Sequence, residues 1–209
     1  MIFVNTHPEL VGKHALLSPS KHSWLNYDDE KLRQMYVNSF ASQIGTIVHD
    51  YAADKIFYRQ PLEDNRSERN ALLLRLLKNG IPPNAIQLEK LFTNLLPYVN
   101  DAIGFKMSPE ICLYYTDNAF GWVDTIAFSR NVLRIHDLKT GDSPVSMDQL
   151  MCYAAYFYLT HKKEANLQKC KTELRIYQNN QVLIHTPSAY DISCVMDAVV
   201  HADMIVDEM

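Results

Sequence analysis

The sequence predicts an α/β protein: a mixed central sheet flanked by helices, with a helical N-terminal portion. Three observations carry this. Apolar side chains recur at helical spacing from about residue 28 to residue 105. The pattern then switches to short runs rich in β-branched and aromatic residues, parted by turn-like pairs. A helical stretch separates the third of these runs from the last two, which indicates a mixed sheet within one α/β domain. That domain is expected over residues 1–209, with its helical portion at about 28–105 and its sheet core and flanking helices at about 108–209.

The elements follow in order. "DDEKLRQMYVNSFASQIGTIVHDYAADKIFYRQ" opens on acidic residues and holds Met35, Tyr36, Phe40, Ile44, Ile47, Val48, Tyr51 and Ala52 on one broad face. "PLEDNRSERN" reads as a polar break. "ALLLRLLKNG" reads as a short helix closed by Gly80, a residue type that commonly follows a helix end. "PPNAIQLEKLFTNLLPYVNDAIGF" is a further helix with Leu88, Leu91, Phe92, Leu95, Leu96 and Val99 as its apolar stripe and a kink expected at Pro97. "EICLYYT", "FGWVDTIAF" and "VLRIHDL" are three strands of a meander. A helix is expected from about Val145 to Leu159, then the strand pair "TELRIYQ" and "QVLIHT" around "NN", and a closing helix "SAYDISCVMDAVVHADMIVDE".

Composition narrows the class. At 209 residues the chain can bury a sizeable core, and 47% hydrophobic with 21% charged residues is ordinary for a soluble globular protein. No apolar run spans a bilayer. The N-terminus lacks the basic, apolar and small-residue regions of a signal peptide, so the cytoplasm is the expected compartment. A net charge of −4 means that nucleic-acid binding would need local basic groups or bound cations. Cys112, Cys152, Cys170 and Cys194 lack the close spacing of a zinc or iron–sulfur site and are expected to be reduced and mostly buried.

The chemistry concentrates around "DLKTG". Asp137 closes an apolar strand, and Lys139 follows two residues on, on the same strand face. Asp124 lies in the preceding strand, and pairing through the short turn can bring the two carboxylates together. Like charges so placed repel unless a cation or proton intervenes, and a hard divalent ion suits carboxylate oxygens. Gln149 and Tyr153, four apart on the following helix, share a face that can position a phosphate or nucleotide. Gly45 and His49 are likewise four apart; the glycine admits a close backbone approach and the imidazole can face a metal.

"GTIVH" on a helix, "GWVD" and "DLKTG" on successive strands and "QLMCY" on the next helix resemble, in type and order, the motifs of the RecB-like branch of the PD-(D/E)XK nuclease superfamily. The resemblance runs from roughly Ser39 to Tyr158. "ELRIYQNNQVLIH" looks like the tail of phage-borne members, and "LLSPSKHSWLNY" resembles the serine-rich entry segment of the branch. The resemblance implies a restriction-endonuclease-like fold. It implies His49, Asp124 and Asp137 as metal ligands with the Leu138 backbone carbonyl completing the shell, Lys139 as the catalytic lysine, and Gln149 and Tyr153 as substrate-binding supports. Glu110, on the first strand, matches an acidic position of some nucleases in the superfamily.

The implied activity is Mg²⁺- or Mn²⁺-dependent hydrolysis of DNA phosphodiester bonds with one or two ions. An exonuclease of recombination or end processing, phage-encoded and acting in the host cytoplasm, is the leading reading. A recombination or single-strand-binding protein is a possible further partner. The alternatives are a structure-dependent or restriction-like endonuclease, a non-catalytic DNA-binding or interaction module, and a structural phage component. The cysteine spacing gives no iron–sulfur cluster. Arg69, Arg75, Lys78, Lys162, Lys163, Lys169 and Lys171 are the candidates for tracking a DNA backbone.

Overall fold

The computed structural model describes residue 17 and residues 19–208, apart from the side chains of residues 20–22, 37, 39 and 40. The Phe40 side chain, residues 16 and 18 of the serine-rich entry segment and the side chains of its residues 20–22 therefore lie outside the described residues. The chain divides into two compact units, Met1–Gln43 and Ile44–Met209, with the boundary inside one long helix.

In the first unit a 3₁₀ helix, Pro19–Asn26, precedes the start of α1 (Asp29–Phe57). The acidic opening of α1 has a local cause: the Asp28 carboxylate accepts the Lys31 backbone N–H at 2.8 Å, satisfying one of the orphan donors of the first turn. The predicted apolar face does not hold throughout this unit, since Tyr36 is 53% exposed.

In the second unit Ile44, Ile47, Val48, Tyr51 and Ala52 of α1 are buried as their spacing predicts. α2 spans Arg66–Lys78, so the second half of the expected polar break is helical. Asn65 starts it early by accepting the Glu68 N–H, a cap that outweighs the polarity of the first turn. Gly80, at φ 75°, follows its end as expected. α3 (Ala85–Gly104) is capped by Asn84 and carries Pro97 inside the helix. Leu91, Phe92, Leu95, Val99 and Ala102 are buried along it, each large side chain stabilising by about 1.5–3 kcal/mol relative to exposure.

Five strands follow, β1 (Ser108–Thr116), β2 (Ala119–Ser129), β3 (Val132–Leu138), β4 (Lys171–Gln178) and β5 (Gln181–His185), with α4 (Asp148–Thr160) between β3 and β4 and α5 (Ala189–Asp207) last. They form one sheet in the order β1-β2-β3-β4-β5. Every neighbouring pair is antiparallel except β3–β4, whose parallel pairing sets Asp137 beside Ile176 and needs α4 as its crossover. The protein is thus α/β with a mixed sheet flanked by helices.

The two sheet faces have different interiors. Leu133, Ile135, Leu174 and Ile176 form one apolar cluster with Leu150, Ala154, Phe157 and Tyr158 of α4. The cysteines are less buried than expected: Cys112, Cys152 and Cys170 are half-buried and Cys194 is exposed, so larger apolar side chains fill the core. On the opposite face His136 is buried with its ring edge-on to Phe105, and its Nδ1 lies 3.2 Å from the Tyr177 hydroxyl. That hydroxyl donates to Asp101, which also accepts from Arg175. Burial, with Arg175 and Arg134 nearby, pushes His136 down to about 3, so it is neutral at neutral pH. α5 begins at a reciprocal cap in which Ser188 and Asp191 satisfy each other's backbone N–H groups.

Candidate active site

The site assembles where strand alternation breaks. Val123 and Ile126 both enter the apolar cluster beneath α4, although they are three positions apart and a strand alternates every two. Asp124 lies in this irregular step. Opposite it, the β1–β2 ladder passes from Pro109–Thr125 to Ile111–Val123 without a Glu110–Asp124 pair, and Glu110 has a left-handed backbone, φ 51°. For a side chain longer than Asn or Asp that conformation costs on the order of 1 kcal/mol or more and needs a reason. The result is that Glu110, Asp124 and His49 of α1 bring one ligand atom each within 4.8 Å of one another. Asp124 Oδ2 sits 3.3 Å from His49 Nδ1 and accepts the Leu138 backbone N–H at 2.9 Å, which ties the end of β3 to the middle of β2.

The electrostatics are those of a crowded anionic site. Asp137 is 4% exposed; burial and then the Asp124 charge push its carboxyl up to about 6, against the opposing pull of Lys139 and His49. Partial burial and Asp124 likewise raise Glu110. Burial works to lower His49, but the hydrogen bond to Asp124 and the charges of Asp124, Asp137 and Glu110 outweigh it and raise the group. The raised values of Asp137 and Glu110 and the raised His49 all act to reduce the net negative charge of the cluster.

Asp137 and Lys139 form a pair at the end of β3. Lys139 Nζ donates to Asp137 Oδ1 at 3.1 Å and lies 3.0 Å from Oδ2, which is buried and lacks a hydrogen bond of good geometry. The same ammonium donates to Gln149 Oε1 at 3.0 Å. Gln149 Nε2 reaches the Tyr153 hydroxyl at 3.4 Å, and that hydroxyl donates to the Trp122 carbonyl at 2.6 Å. One chain of contacts therefore runs from the lysine along one face of α4 and back to β2, two residues before Asp124.

Both motif glycines have a steric reason. A Cβ on Gly121 would lie 2.9 Å from Tyr153 Cε1, so only glycine lets the tyrosine ring lie on β2. A Cβ on Gly45 would lie 3.3 Å from Thr140 Oγ1, so a bare α1 turn admits the segment after Lys139.

Three supports went unread in the sequence. Gln178, buried at the end of β4, donates through Nε2 to the carbonyls of Gly141 and Ser143 and fixes the loop after Lys139. Asn94 of α3 reaches the Lys139 carbonyl at 3.4 Å and accepts the Asn180 N–H at 2.7 Å. The Lys139 N–H donates to the Tyr177 carbonyl, extending the parallel ladder. The only signal for Asn94 was a polar residue within an apolar helical stripe. Among the basic candidates, Arg69 is held by Asp64 and Glu89 over the Phe92 ring, and Arg75 pairs with Asp54. Lys78, Lys162, Lys163, Lys169 and Lys171 are exposed.

His49, Glu110 and Asp124 form a donor set that could hold a metal ion. Imidazole and carboxylate atoms within 4.8 Å of one another approach the roughly 4 Å that separates ligands across a small octahedral ion. Asp137 lies outside that set of three; its charge is felt by His49 and Asp124, and its buried Oδ2, which lacks a hydrogen bond, is ion-paired with Lys139. No protein-family model and no curated protein matches the chain.

Proposed function

We propose that the protein is a divalent-metal-dependent deoxyribonuclease with a restriction-endonuclease-like core, acting as an exonuclease on DNA ends. The observation that carries this reading is the convergence, from α1, β1, β2, β3 and α4, of His49, Glu110, Asp124 and the Asp137–Lys139 pair with Gln149 held against it. His49, Glu110, Asp124 and Asp137, with the Leu138 carbonyl, would hold Mg²⁺ or Mn²⁺. Such an ion supplies Lewis acidity towards a phosphoryl oxygen and activates the attacking water.

The chain's own groups do the rest. Lys139 offers a cation to the charge that develops on the phosphoryl oxygens, and Gln149 keeps its ammonium aimed into the site rather than into solvent. Asp137 orients the same ammonium from the other side. Tyr153 holds α4 against β2, so that Gln149 and Asp124 keep their spacing.

The test is digestion of end-labelled linear DNA and closed circular DNA with Mg²⁺, Mn²⁺ or EDTA. Metal-dependent loss of linear DNA alone is expected. Cutting of circles would establish the endonuclease instead, and inactivity on both would leave a binding module. In the same assay Lys139→Ala should lower the turnover rate at least a hundredfold with little change in KM, because its charge acts chiefly on the transition state. Near-normal turnover by that variant would remove the lysine from catalysis.

A further inference from the structure

The two edges of the sheet are finished differently. β1 carries Pro109, which has no N–H to offer, and the left-handed Glu110, and both interrupt a regular edge. β5 pairs with β4 in a register without a bulge, and no described residue bonds its outer side. Asn179 and Asn180 both have positive φ, 52° and 58°, as in the type I′ turn that closes on a hydrogen-bonded flanking pair, here Gln178–Gln181. Bonded pairs alternate from there, so Gln181, Leu183 and His185 turn their backbone groups to β4. The N–H and C=O groups of Val182 and Ile184 point outwards. The side chains of Val182 and Ile184 lie on the α3 side, opposite Tyr177 and Arg175, and Leu183 lies on the α4 side, opposite Ile176. Neither side is covered: Val182, Leu183 and Ile184 are 37%, 41% and 57% exposed.

We propose that β5 is the seam of a two-fold dimer, in which it pairs antiparallel with β5 of a second copy. The outward groups fix the register. Val182 exchanges N–H and C=O bonds with the partner's Ile184, and Ile184 does the same with the partner's Val182. Leu183 then stands opposite the partner's Leu183 in the close, non-bonded position of the ladder. Each copy covers the other's exposed apolar strand, and the two five-stranded sheets become one. The two-fold axis stands perpendicular to that sheet, so both α4 helices lie on one face of it. The inference is independent of the nuclease reading.

Charge selects a second copy as the occupant. From Ile176 to Tyr190 the sequence holds no Asp, Glu, Lys or Arg. Ile86 and Ala85 of α3 line a shallow hollow of about 600 Å³ with the Asn179–Asn180 turn, and its two charged residues are already held, Glu89 by Arg69 and Lys90 by Asp142. A charged partner, nucleic acid included, meets no counter-charge along this edge. Two copies meet there without repulsion. Two-fold symmetry also supplies the matching register, which an unrelated strand would have to supply by its own sequence.

The experiment is sedimentation of the full chain from about 1 μM to 1 mM, the span of moderate to weak affinity. The wild type should pass from monomer to dimer. Ile184→Pro removes an outward N–H and leaves the ladder to β4 intact, and Leu183→Lys sets like charges opposite each other. Each should weaken the dimer by roughly tenfold or more while the dilute monomer keeps its circular dichroism. Amide exchange reads the seam directly: the Val182 and Ile184 N–H groups should gain protection as concentration rises, whereas that of Leu183 is protected throughout. In a Cys194→Ser background, which removes the exposed thiol, Leu183→Cys should cross-link on oxidation and Val182→Cys, set diagonally across the seam, should not. A wild type that stays monomeric over the whole range would overturn the proposal, an unrelated strand being then the only occupant left for the edge. So would a dimer that both Ile184→Pro and Leu183→Lys leave intact, since the contact would lie elsewhere.

Discussion

Glu110 shows how one residue can hold a site at the expense of its own backbone. At φ 51° a glycine is at ease and a glutamate is not. Glu110→Gly and Glu110→Ala both remove the carboxyl, but only the first relieves the backbone. In metal-free melts we expect the glycine variant to be the more stable by about 1 kcal/mol, the reverse of the usual order in a strand. Both variants should lose part of the gain in melting temperature that Mn²⁺ gives the wild type. A glycine variant that melts below the alanine variant would show that the position is unstrained. Glu110 also marks a limit of sequence reading. Its carboxyl could be noted as an acidic strand position, but period-2 alternation assigns a side and gives no hint of the backbone fault that turns it towards Asp124. Asp124, Asp137 and Lys139 were legible because their spacing along strands is itself the chemical statement. Gln178 and Asn94 were not, because their partners are backbone carbonyls and an N–H whose positions only the folded chain defines.

At the scale of elements, the contact between α4 and β2 depends on one missing methyl group. Gly121→Ala places a carbon 2.9 Å from the Tyr153 ring, inside van der Waals contact. The ring must move, the bond to the Trp122 carbonyl is lost, and Gln149 shifts away from Lys139. Overpacking of this kind costs about 1–3 kcal/mol. The variant should melt several degrees lower and turn over more slowly even at temperatures where it is fully folded. In a Tyr153→Ala background the same methyl should cost little, and this non-additivity distinguishes the ring contact from a general intolerance of alanine in β2. Equal losses in both backgrounds would refute the contact. Most elements were readable from period and turn chemistry; β3 begins and ends where its apolar run does. α2 was misread because its first turn is polar and exposed, so the helix there is set by the Asn65 cap, with no apolar stripe to reveal it.

For the whole molecule, the crowded charges predict an inverted pH response. Asp137 titrates at about 6 in the folded protein, above its ordinary 3.8, so between these values the folded state holds a proton that the unfolded state has released. Stability from this group is present at low pH and falls as pH rises through that window, by at most about 3 kcal/mol. His49 acts in the same direction. Its raised folded value gives stability that is present below its ordinary 6.5 and lost as pH passes the folded value. The metal-free protein should therefore lose melting temperature from pH 5 to pH 8 relative to Asp137→Asn, in which the larger contribution is gone. With saturating Mn²⁺ the wild-type trend should reverse, since protons and metal compete for the same atoms. Parallel pH profiles of wild type and Asp137→Asn in EDTA would show that Asp137 is not under this strain. The α/β class and mixed sheet could be read from the order of elements. The division at Gln43 could not, because it falls inside an unbroken helical pattern.

The parallel pairing of β3 with β4 has a consequence for timing. His49, Glu110, Asp124, Asp137 and Lys139 have all been synthesised by residue 139, yet the groups that set their geometry come later: the Tyr177 carbonyl, the Gln178 amide and the Asn180 N–H. A parallel neighbour cannot form until its crossover has been made and folded back, which is a slow, non-local step. A chain still on the ribosome thus carries all five of these side chains without the scaffold that aligns them, and the cluster takes its folded geometry only when the turn at Asn179–Asn180 closes.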